Sequence, residues 1–301
     1  MIITLMVLII IPVFFILEQI NILDTYYKEP QIKLYLKQEN QVIKLSIEEY
    51  IIGTVAAEMP ASFEEEALKA QAVCARTYAL RKILDNKPYP YDADLSDDIN
   101  SCQAFITEQE FYKRHPNSKK LFQKIKRAVA ATRGEIMIYN QEPIDALYHS
   151  TCGGSTESAI NVWGNDVPYL RSVKCGYCMK SNYYNNVMVF SIPDFNKSLG
   201  LNGDKLTFNV AENTPSGRIK KIVISGVELS GEKLRQILGL PSTWVGLRIN
   251  ESKVEVHSRG YGHGLGLCQY GANGMASKGK NYHQILRRYY QKIQFTKLNY
   301  E

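Results

Sequence analysis

The stretch TVAAEMPASFEEEALKAQAVCARTYAL, residues 54–80, contains two helix boundaries and so determines how the N-terminal half of the chain folds. Serine followed three residues later by glutamate is the capping-box pattern that marks a helix N-terminus. The pattern occurs at residues 46–49 and again at residues 62–65. A first helix is therefore expected to end near Pro60, which cannot continue it. A second helix is predicted over residues 63–84.

The four glutamates of this stretch differ in their position along the two helices. Three of them, Glu64, Glu65 and Glu66, fall in the first turn of the second helix, where a carboxylate gains about 0.3–1 kcal/mol from the helix dipole. We expect these three to cap the helix. Glu58 falls in the last turn of the first helix, where the dipole and burial would raise its pKa. A carboxyl group that stays protonated suits general-acid catalysis. A solvated glutamate at a helix end is the alternative that this argument leaves open.

The second helix is rich in small residues and carries two cations. Its five alanines predict close packing against neighbouring elements, so we expect the helix to be central. Lys69 and Arg76 recur at the spacing of one helix face. The two cations either bind an anionic ligand or pair with Glu65 and Glu66, and the sequence does not decide between these roles.

Composition and the N-terminus restrict where the protein acts. The chain has 301 residues, of which 45% are hydrophobic, so it can bury the core of one large domain or two small ones. Residues 1–17 carry no charge and are followed by no A-x-A cleavage site. This predicts an uncleaved membrane anchor over residues 1–20, with the rest of the chain outside the cytoplasm. A buried or cleaved segment is the alternative.

The charge balance favours an anionic polymer as partner. The net charge is +6, with basic residues scattered along the chain and no nucleic-acid-binding motif. Cell-wall material would fit this charge, and no nucleic acid partner is expected.

The order of helical and strand patterns predicts an α+β fold rather than a doubly wound sheet. After a linker over residues 21–42, we expect one extracytoplasmic catalytic domain over residues 43–301. Short strands and turns dominate residues 185–250, so this segment is predicted to be a small inserted β-rich lobe.

Cysteine and histidine occur in pairs with metal-ligand spacing. His149-x2-Cys152 and Cys175-x2-Cys178 together give the nitrogen and sulfur ligands of a structural zinc site. Disulfides outside the cytoplasm, or a substrate-binding role for His149, are the alternatives. The remaining cysteines are expected to be unpaired packing residues: Cys74, Cys102 and Cys268.

The run SRGYGHGLGLCQYGANGMA, residues 258–276, contains glycines that do not fit the dinucleotide-binding pattern. Glycines let a backbone approach a ligand closely, and here they leave Tyr261 and His263 between them. Aromatic rings bind the apolar faces of sugars, and rings are available at Tyr261, Tyr270, Trp163 and Tyr169. A tight glycine turn with a core histidine is the alternative.

Three stretches together resemble the stage II sporulation protein D family, which includes amidase-enhancer relatives. They are AAEMPASFEEEALKAQAVCARTYAL, YHSTCGGSTESAINVWGNDVPYLRSV and RGYGHGLGLCQYGANGMA. The resemblance covers about residues 43–290. It implies a membrane-anchored lytic transglycosylase that degrades peptidoglycan during forespore engulfment, on the mother-cell membrane facing the forespore septum. The partners implied are peptidoglycan glycan strands, the cell-wall amidase stage II sporulation protein P and the membrane protein stage II sporulation protein M.

The resemblance also implies roles for individual residues. The catalytic glutamate of the family falls on Glu58, and its essential basic residues fall on Lys69 and Arg76. The residues of the three stretches that we expect to contact substrate are Lys69, Arg76, Tyr78, Ser150, Gly153, Gly154, Tyr169, Tyr261, Gly262, His263, Gly264, Gln269 and Tyr270. Cys268 stands where relatives commonly have serine. The cysteines of the predicted zinc site match only part of the family.

Two other functions compete with the lytic transglycosylase. A non-catalytic protein that holds glycan for a partner amidase could dispense with Glu58. A zinc hydrolase needs an open metal position, which four protein ligands would not leave.

Overall fold

The computed structural model describes residues 29–201, 206–250 and 253–300. These residues combine helices with several small sheets, which confirms the α+β class. Their helices are α1 (Ile47–Glu58), α2 (Glu65–Leu84), α3 (Glu108–Arg114), α4 (Lys119–Ala131), α5 (Ala159–Trp163), α6 (Ile192–Leu199), α7 (Gly231–Leu238), α8 (Gln269–Ala276) and α9 (Tyr282–Tyr289). Their strands are β1 (Gln31–Leu36), β2 (Gln41–Ser46), β3 (Leu95–Ser96), β4 (Glu135–Tyr139), β5 (Glu142–Pro143), β6 (Tyr148–His149), β7 (Asn186–Ser191), β8 (Phe208–Asn213), β9 (Ile219–Ile224), β10 (Val227–Ser230), β11 (Val245–Asn250), β12 (Lys253–Ser258), β13 (Leu267–Cys268) and β14 (Gln294–Lys297).

The predicted membrane anchor, residues 1–20, lies outside the described residues. Within the described ranges, no helix combines the length and the apolar composition needed to cross a bilayer.

The chain divides into two compact units, each built from separate segments. The first unit contains the described residues up to Ser62, then residues 72–145, and finally residues from Gln294 onward. The second contains residues 63–71 and the described residues between 146 and 293. A sequence read in order gives no sign of this division, because strands that are distant in sequence close each unit.

Helix α1 begins at the predicted capping box. The side chain of Ser46 accepts a hydrogen bond from the backbone N–H of Glu49, and Glu49 Oε2 accepts one from the backbone N–H of Ser46. The helix ends at Glu58, with Met59 as the extended C-cap residue. The prediction of a carboxylate at the end of this helix is therefore confirmed.

Helix α2 begins two residues later than predicted. Its first residue is Glu65, and the carbonyl of Glu64 accepts the backbone N–H groups of Ala67 and Leu68. Ser62 lies outside the helix, so the second capping box is not formed. The alanines of the helix are fully buried, as their small size predicted: Ala67, Ala70, Ala72, Ala75 and Ala79.

Two three-stranded sheets frame the first unit. One has the order β2-β1-β3 and the other the order β14-β4-β5, in which β14 pairs antiparallel with the central strand β4. Strands β4 and β5 form a hairpin after α4, with both turn residues, Asn140 and Gln141, at positive φ. Leu80, Ile136 and Leu298 pack together beneath the β4 sheet.

The second unit contains a segment with a core of its own. Sheets of order β11-β12-β7 and β10-β9-β8, together with α6 and α7, enclose Phe195, Ile222, Leu234 and Val256. The central strand of the first of these sheets is β12, which lies beyond residue 250, where the predicted lobe ended. A short parallel pair, β6 with β13, places His149 opposite Cys268.

Candidate functional site

Glu58 is a half-buried side chain whose carboxylate already has a donor. Its Oε1 accepts the backbone N–H of Ala104 at 2.7 Å. An N–H donor favours the ionised carboxylate, whereas the negative end of the α1 dipole favours the protonated acid. The environment of Glu58 therefore favours both the protonated and the ionised form of its carboxyl group, as a residue that first donates and then accepts a proton requires.

A glycine in α1 explains how Ala104 reaches Glu58. A Cβ atom on Gly53 would lie 2.2 Å from the Phe105 ring and 2.7 Å from the Ile106 carbonyl. The N–H of Ile106 also donates to the Gly53 carbonyl at 3.3 Å. Only glycine lets the chain lie this close to the helix, and this close approach brings the Ala104 N–H to the carboxylate. Neither Gly53 nor Ala104 was predicted, although a lone glycine inside a helical pattern was an available signal.

Tyr78 lies within electrostatic range of Glu58. Burial raises the pKa of Tyr78 well above its usual value, and neighbouring groups that include Asp145 and Glu58 raise it further. The phenol is therefore a permanent donor beside the carboxylate. Because only 9% of the residue is exposed, its predicted contact with substrate would involve a small part of the side chain. Asp145 is a second carboxylate acting on the same ring.

Arg76 does not contact solvent, so its predicted role as a substrate-binding cation is corrected. Its side chain is fully buried and forms a bidentate pair with Glu48, with Nε–Oε1 at 2.8 Å and Nη2–Oε2 at 2.6 Å. Nη1 donates to the carbonyl of Glu135 at 3.0 Å. A buried charge survives only when it is paired, and the partner here is neither of the glutamates expected from the sequence. Arg76 is a structural residue.

Lys69 forms ion pairs with two glutamates in the first turn of α2. Its Nζ lies 2.7 Å from Glu66 Oε1 and 3.7 Å from Glu65 Oε1, and the hydrogen bond to Glu66 raises the pKa of the lysine. Glu66 also accepts the backbone N–H of Tyr282. Of the two roles that the sequence left open for Lys69, the structure shows the ion pair.

Four cysteines form a buried cluster in the second unit. The Sγ atoms of Cys152, Cys175, Cys178 and Cys268 all lie within 4.8 Å of one another. None of them is in a disulfide, and the Cys152–Cys178 sulfur separation is 3.5 Å. Hydrogen bonds from the neighbouring thiols strongly lower the pKa of Cys175. Hydrogen bonding to Cys152 also lowers the pKa of Cys178, so the cluster contains two thiols that ionise more readily than an ordinary cysteine.

The predicted ligand set is corrected at one position, because Cys268 takes the place expected for His149. Cys268 was expected to be a packing residue, yet it lies among the other three sulfurs and caps α8 by accepting the N–H of Gly271 at 3.3 Å. The β6–β13 pairing brings Cys268 across from residue 149, 119 positions earlier in sequence. No spacing rule covers a ligand brought in from such a distance.

The imidazole of His149 lies outside the sulfur cluster. Its Nδ1 is 3.0 Å from the Leu265 carbonyl, so that nitrogen carries the proton, and its buried Nε2 has no hydrogen-bond partner. Burial lowers the pKa of His149, and the charge of the neighbouring His263 lowers it further. The ring is a neutral core group packed edge-on to His263, with ring centroids 5.6 Å apart.

His263 has both ring nitrogens satisfied by backbone. Its Nδ1 accepts the N–H of Leu265 at 3.0 Å, so Nε2 carries the proton and donates to the Tyr148 carbonyl at 3.0 Å. Burial lowers the pKa of His263 to about 4. The imidazole is neutral near pH 7 and its hydrogen bonds hold the glycine run, so the alternative of a core histidine is the one observed.

The glycines of this run pack closely against other parts of the second unit, and the N–H of Gly262 donates to the Pro241 carbonyl. A Cβ atom on Gly262 (φ +110°) would lie 2.8 Å from His149 Cβ, and one on Gly264 (φ +85°) would lie 2.9 Å from the Arg218 guanidinium. Gly266 would meet the Leu147 carbonyl. The glycines therefore allow close packing of the run within the second unit.

Tyr261 is the exposed aromatic residue of the run. Its side chain is 45% exposed and its ring lies 4.5 Å, centroid to centroid, from that of Tyr183, which is 39% exposed. Two exposed rings in contact offer an apolar surface of the kind that binds sugar faces. Tyr183 was not predicted, although its sequence, SNYYNN, places two tyrosines in a polar loop.

The other residues predicted to contact substrate are in two groups. Ser150 accepts the N–H of Tyr270 at its carbonyl, the Tyr270 ring packs edge-on against Phe63, and the buried Gln269 donates to the Gln71 side chain. The second predicted motif contributes Gly153, Gly154 and Tyr169. Gly153 packs on the Arg259 and Gly260 backbone, and Gly154 lines the pocket described below. The Tyr169 carbonyl accepts the N–H of Gln291.

A buried carboxylate in the second unit is structural. Glu157 is 2% exposed and accepts hydrogen bonds from the hydroxyls of Ser216 and Thr214, each at 2.6 Å. It also accepts the Asn161 amide and the Ser158 N–H. Burial alone would raise the pKa of Glu157, but these four donors lower it. With all its acceptor positions used, this carboxylate is not a candidate acid.

Comparison with known proteins gives a consistent family. The family model described as stage II sporulation protein matches residues 35–139. Stage II sporulation protein D of Bacillus subtilis (strain 168) is 38% identical over 269 residues, which cover 88% of this chain and 78% of the relative. Stage II sporulation protein D of Bacillus amyloliquefaciens is 36% identical over 284 residues, covering 91% of this chain and 83% of the relative.

A more distant relative carries a different name. The amidase enhancer of Bacillus subtilis (strain 168) is 29% identical over 296 residues, which cover 79% of this chain and 39% of that protein.

Proposed function

Since this chain belongs to the stage II sporulation protein D family, a family of sporulation proteins, we propose that it is a lytic transglycosylase. The substrate is the glycan of peptidoglycan from which stem peptides have been removed. The bond cleaved joins N-acetylmuramic acid to N-acetylglucosamine, and the products end in 1,6-anhydro-N-acetylmuramic acid.

One observation carries this proposal: Glu58 is half-buried at a helix C-terminus and accepts the backbone N–H of Ala104 at 2.7 Å. The helix end favours the acid before reaction, and the Ala104 N–H stabilises the carboxylate after the proton has left. A carboxyl group with both influences can donate a proton and recover it within one turnover.

The reaction needs a single group of this kind. Glu58 gives its proton to the bridging oxygen as the bond from that oxygen to C1 breaks. The carboxylate then takes the proton of the C6 hydroxyl as O6 bonds to C1. The proton returns to Glu58 and no water is consumed. Hydrolytic glycosidases instead use two carboxylates, one of which activates water or attacks the sugar.

The decisive experiment replaces Glu58 by Gln in the full chain. The amide oxygen can still accept the Ala104 N–H, so the fold should be kept, but the amide cannot transfer a proton. We expect anhydro products from denuded glycan strands, measured by mass spectrometry, to fall by at least about 10²-fold. Glu64→Gln, an exposed glutamate outside the site, is the matched control. Undiminished anhydro product from Glu58→Gln would end the proposal.

The amidase-enhancer relative supports a second candidate function, in which the chain binds glycan for a partner amidase without cleaving it. The exposed Tyr183–Tyr261 pair would serve that function equally well. One assay distinguishes the two functions. If the chain is an enhancer, its Glu58→Gln variant still stimulates a purified cell-wall amidase on intact peptidoglycan, and the unsubstituted chain yields no anhydro ends.

We also propose that the cysteine cluster holds a structural zinc ion. Tetrahedral zinc with Zn–S bonds of about 2.3 Å requires sulfur separations of about 3.8 Å, and the four sulfurs already lie within 4.8 Å of one another. Four thiolates would leave no open coordination position, so the metal would link the loops that carry Cys152 and Cys175 to the start of α8 rather than take part in the reaction.

Elemental analysis of protein purified without chelators tests this proposal, with about one zinc per chain expected for a single four-thiolate site. Cys268→Ser should lose the metal and melt at a lower temperature. His149→Gln is the matched control and should retain the metal. A non-reducing peptide map that shows a disulfide among these cysteines, with no metal present, would contradict the site.

Membrane attachment and partners complete the proposal. We propose that residues 1–20 anchor the chain in the mother-cell membrane, with the described residues outside the cytoplasm facing the forespore septum. The proposed partners are the cell-wall amidase stage II sporulation protein P and the membrane protein stage II sporulation protein M. Alkaline extraction of membranes should leave the full chain in the pellet and release a chain that begins after residue 20.

A further inference from the structure

A pocket of about 480 Å³ lies within the second unit, and no residue given a catalytic role above lines it. Its volume is within the range of ligand-binding pockets. The residues that matter for its chemistry are Ser155, Lys174, Tyr184, Ser216, Trp244 and Arg259. The sequence motifs gave roles to two of its lining residues, Gly154 as a substrate contact and Cys175 as a metal ligand, but the proposed reaction uses neither.

The charge of this pocket is unbalanced. Two cations, Lys174 and Arg259, line it without any carboxylate, and its readily ionised thiol, Cys175, is 2% exposed and lies among the sulfurs of the cysteine cluster. Among the described residues, neither cation forms an ion pair with a carboxylate. By contrast, the buried Arg76 is fully paired. A pocket with two unpaired cations attracts an anion.

Arg259 is held rigidly at the pocket wall. Its guanidinium carbon lies 4.5 Å from the centroid of the Trp244 ring and 5.4 Å from that of Tyr184, and its Nη2 donates to the Tyr184 hydroxyl at 3.0 Å. The buried Nε has no hydrogen-bond partner. Gly154 has φ +125°, and a Cβ atom there would lie 3.3 Å from Nη2. The guanidinium is therefore pre-oriented, with donor capacity that the protein does not use.

We propose that this pocket binds the lactyl carboxylate of N-acetylmuramic acid in the glycan strand. This inference rests on the proposed function, because a denuded strand has no other charged group along its length. A planar carboxylate matches the fork of Arg259, and Lys174 adds a second positive charge. The hydroxyl of Ser216 donates to Glu157 and that of Ser155 donates to backbone carbonyls, so the two cations alone provide the recognition. Arg259 and Lys174 thus take the carboxylate-binding role that the sequence suggested for Arg76, which is buried.

Two ligands that differ only in this group test the proposal. Isothermal titration calorimetry on the full chain with Glu58→Gln, which cannot cleave, compares denuded glycan strands with chitin oligomers of equal length, which lack the lactyl group. We expect the glycan to bind at least about tenfold more tightly. Adding Arg259→Gln should remove this preference, and adding Lys174→Gln should weaken glycan binding about two- to fivefold. Lys180→Gln, an exposed lysine outside the pocket, is the matched control.

Several outcomes would overturn the assignment. They are equal binding of chitin oligomers and glycan, unchanged binding by Lys174→Gln, and competition by inorganic phosphate at concentrations where lactate has no effect. If Arg259→Gln lowers the melting temperature too far for measurement, Lys174→Gln decides alone, because its side chain is exposed. The proposed reaction is judged separately from anhydro products of the unsubstituted chain. If the chain prefers glycan in a way that depends on Arg259 but releases no anhydro ends, the pocket assignment stands and the proposed enzymatic activity is refuted.

Discussion

Replacing Arg76 by Met should unfold the protein at a lower temperature rather than weaken its hold on glycan. The Arg76 and Glu48 side chains are 0% and 8% exposed and are joined by two hydrogen bonds of 2.6 and 2.8 Å. Methionine removes the charge and leaves the Glu48 carboxylate buried. Breaking one partner of a buried pair costs about 3–5 kcal/mol. For a chain of this size, that corresponds to a fall in Tm of roughly 6–20 °C.

The assay is thermal unfolding followed by circular dichroism, together with glycan binding measured well below the Tm of the variant. Arg81→Met is the matched control on the same helix, since Arg81 is 30% exposed and pairs with Asp85 and Glu142 at the surface. Such exposed pairs contribute about 0–1 kcal/mol, so the control should lose at most a few degrees.

A double variant adds a second check. Glu48→Leu combined with Arg76→Met removes both charges and should recover part of the lost stability. The recovery is partial because Glu48 also accepts the backbone N–H of Gly134 and the hydroxyl of Tyr300. If Arg76→Met melts within 2 °C of the parent, a margin of roughly 1 kcal/mol or less, and yet loses glycan binding, the structural role assigned to this arginine is refuted.

Four further perturbations have defined outcomes. Gly53→Ala places a methyl group 2.2 Å from the Phe105 ring, so it should cost about 1–3 kcal/mol in urea unfolding and also slow the release of anhydro products. Burial lowers the pKa of His263 to about 4 from 6.5, so between these pH values the unfolded chain binds a proton that the folded chain does not. The free energy of unfolding should therefore be highest above pH 6.5 and fall by about 3 kcal/mol toward pH 4. His263→Gln should make this fall smaller. Asp145→Asn should keep cleavage within about tenfold of the parent, whereas a loss as large as that of Glu58→Gln would indicate a two-carboxylate reaction. Gly264→Val, at φ +85° against the Arg218 guanidinium, should lower the Tm and not act on glycan binding alone.

Local signals predicted the features that depend on neighbouring residues. The capping box at Ser46 and the proline after Met59 placed Glu58 at the end of α1, because both act within a few residues of the helix terminus. The alanines of α2 predicted its burial, since small side chains permit close helix packing. The second capping box failed because α2 begins at Glu65 rather than at Phe63, so its first hydrogen bonds run to the Glu64 carbonyl and Ser62 lies too far before the helix to cap it.

Distant pairings decided the rest of the candidate site. Arg76 is buried because Glu48, 28 residues earlier, supplies its counter-charge. Cys268 joins the sulfur cluster because β13 pairs with β6. Spacing within a motif contains no information on either partner. The pocket around Arg259 could likewise not be predicted from the sequence, because its aromatic walls come from residues 184 and 244, which share no motif.

The first unit also has a consequence for the timing of folding. Strand β4 obtains its β14 neighbour, and Glu48 its Tyr300 partner, from residues that are synthesised after the whole of the second unit. During synthesis, at about 5–20 residues per second, roughly 150 residues of the other unit emerge between β5 and β14. For about 10–30 seconds, the edge of β4 lacks its partner strand β14 and the apolar side chains beneath it are exposed. During this time they are accessible to proteases and can pair with other chains. The unit that contains Glu58 therefore closes only after the whole of the second unit has been made.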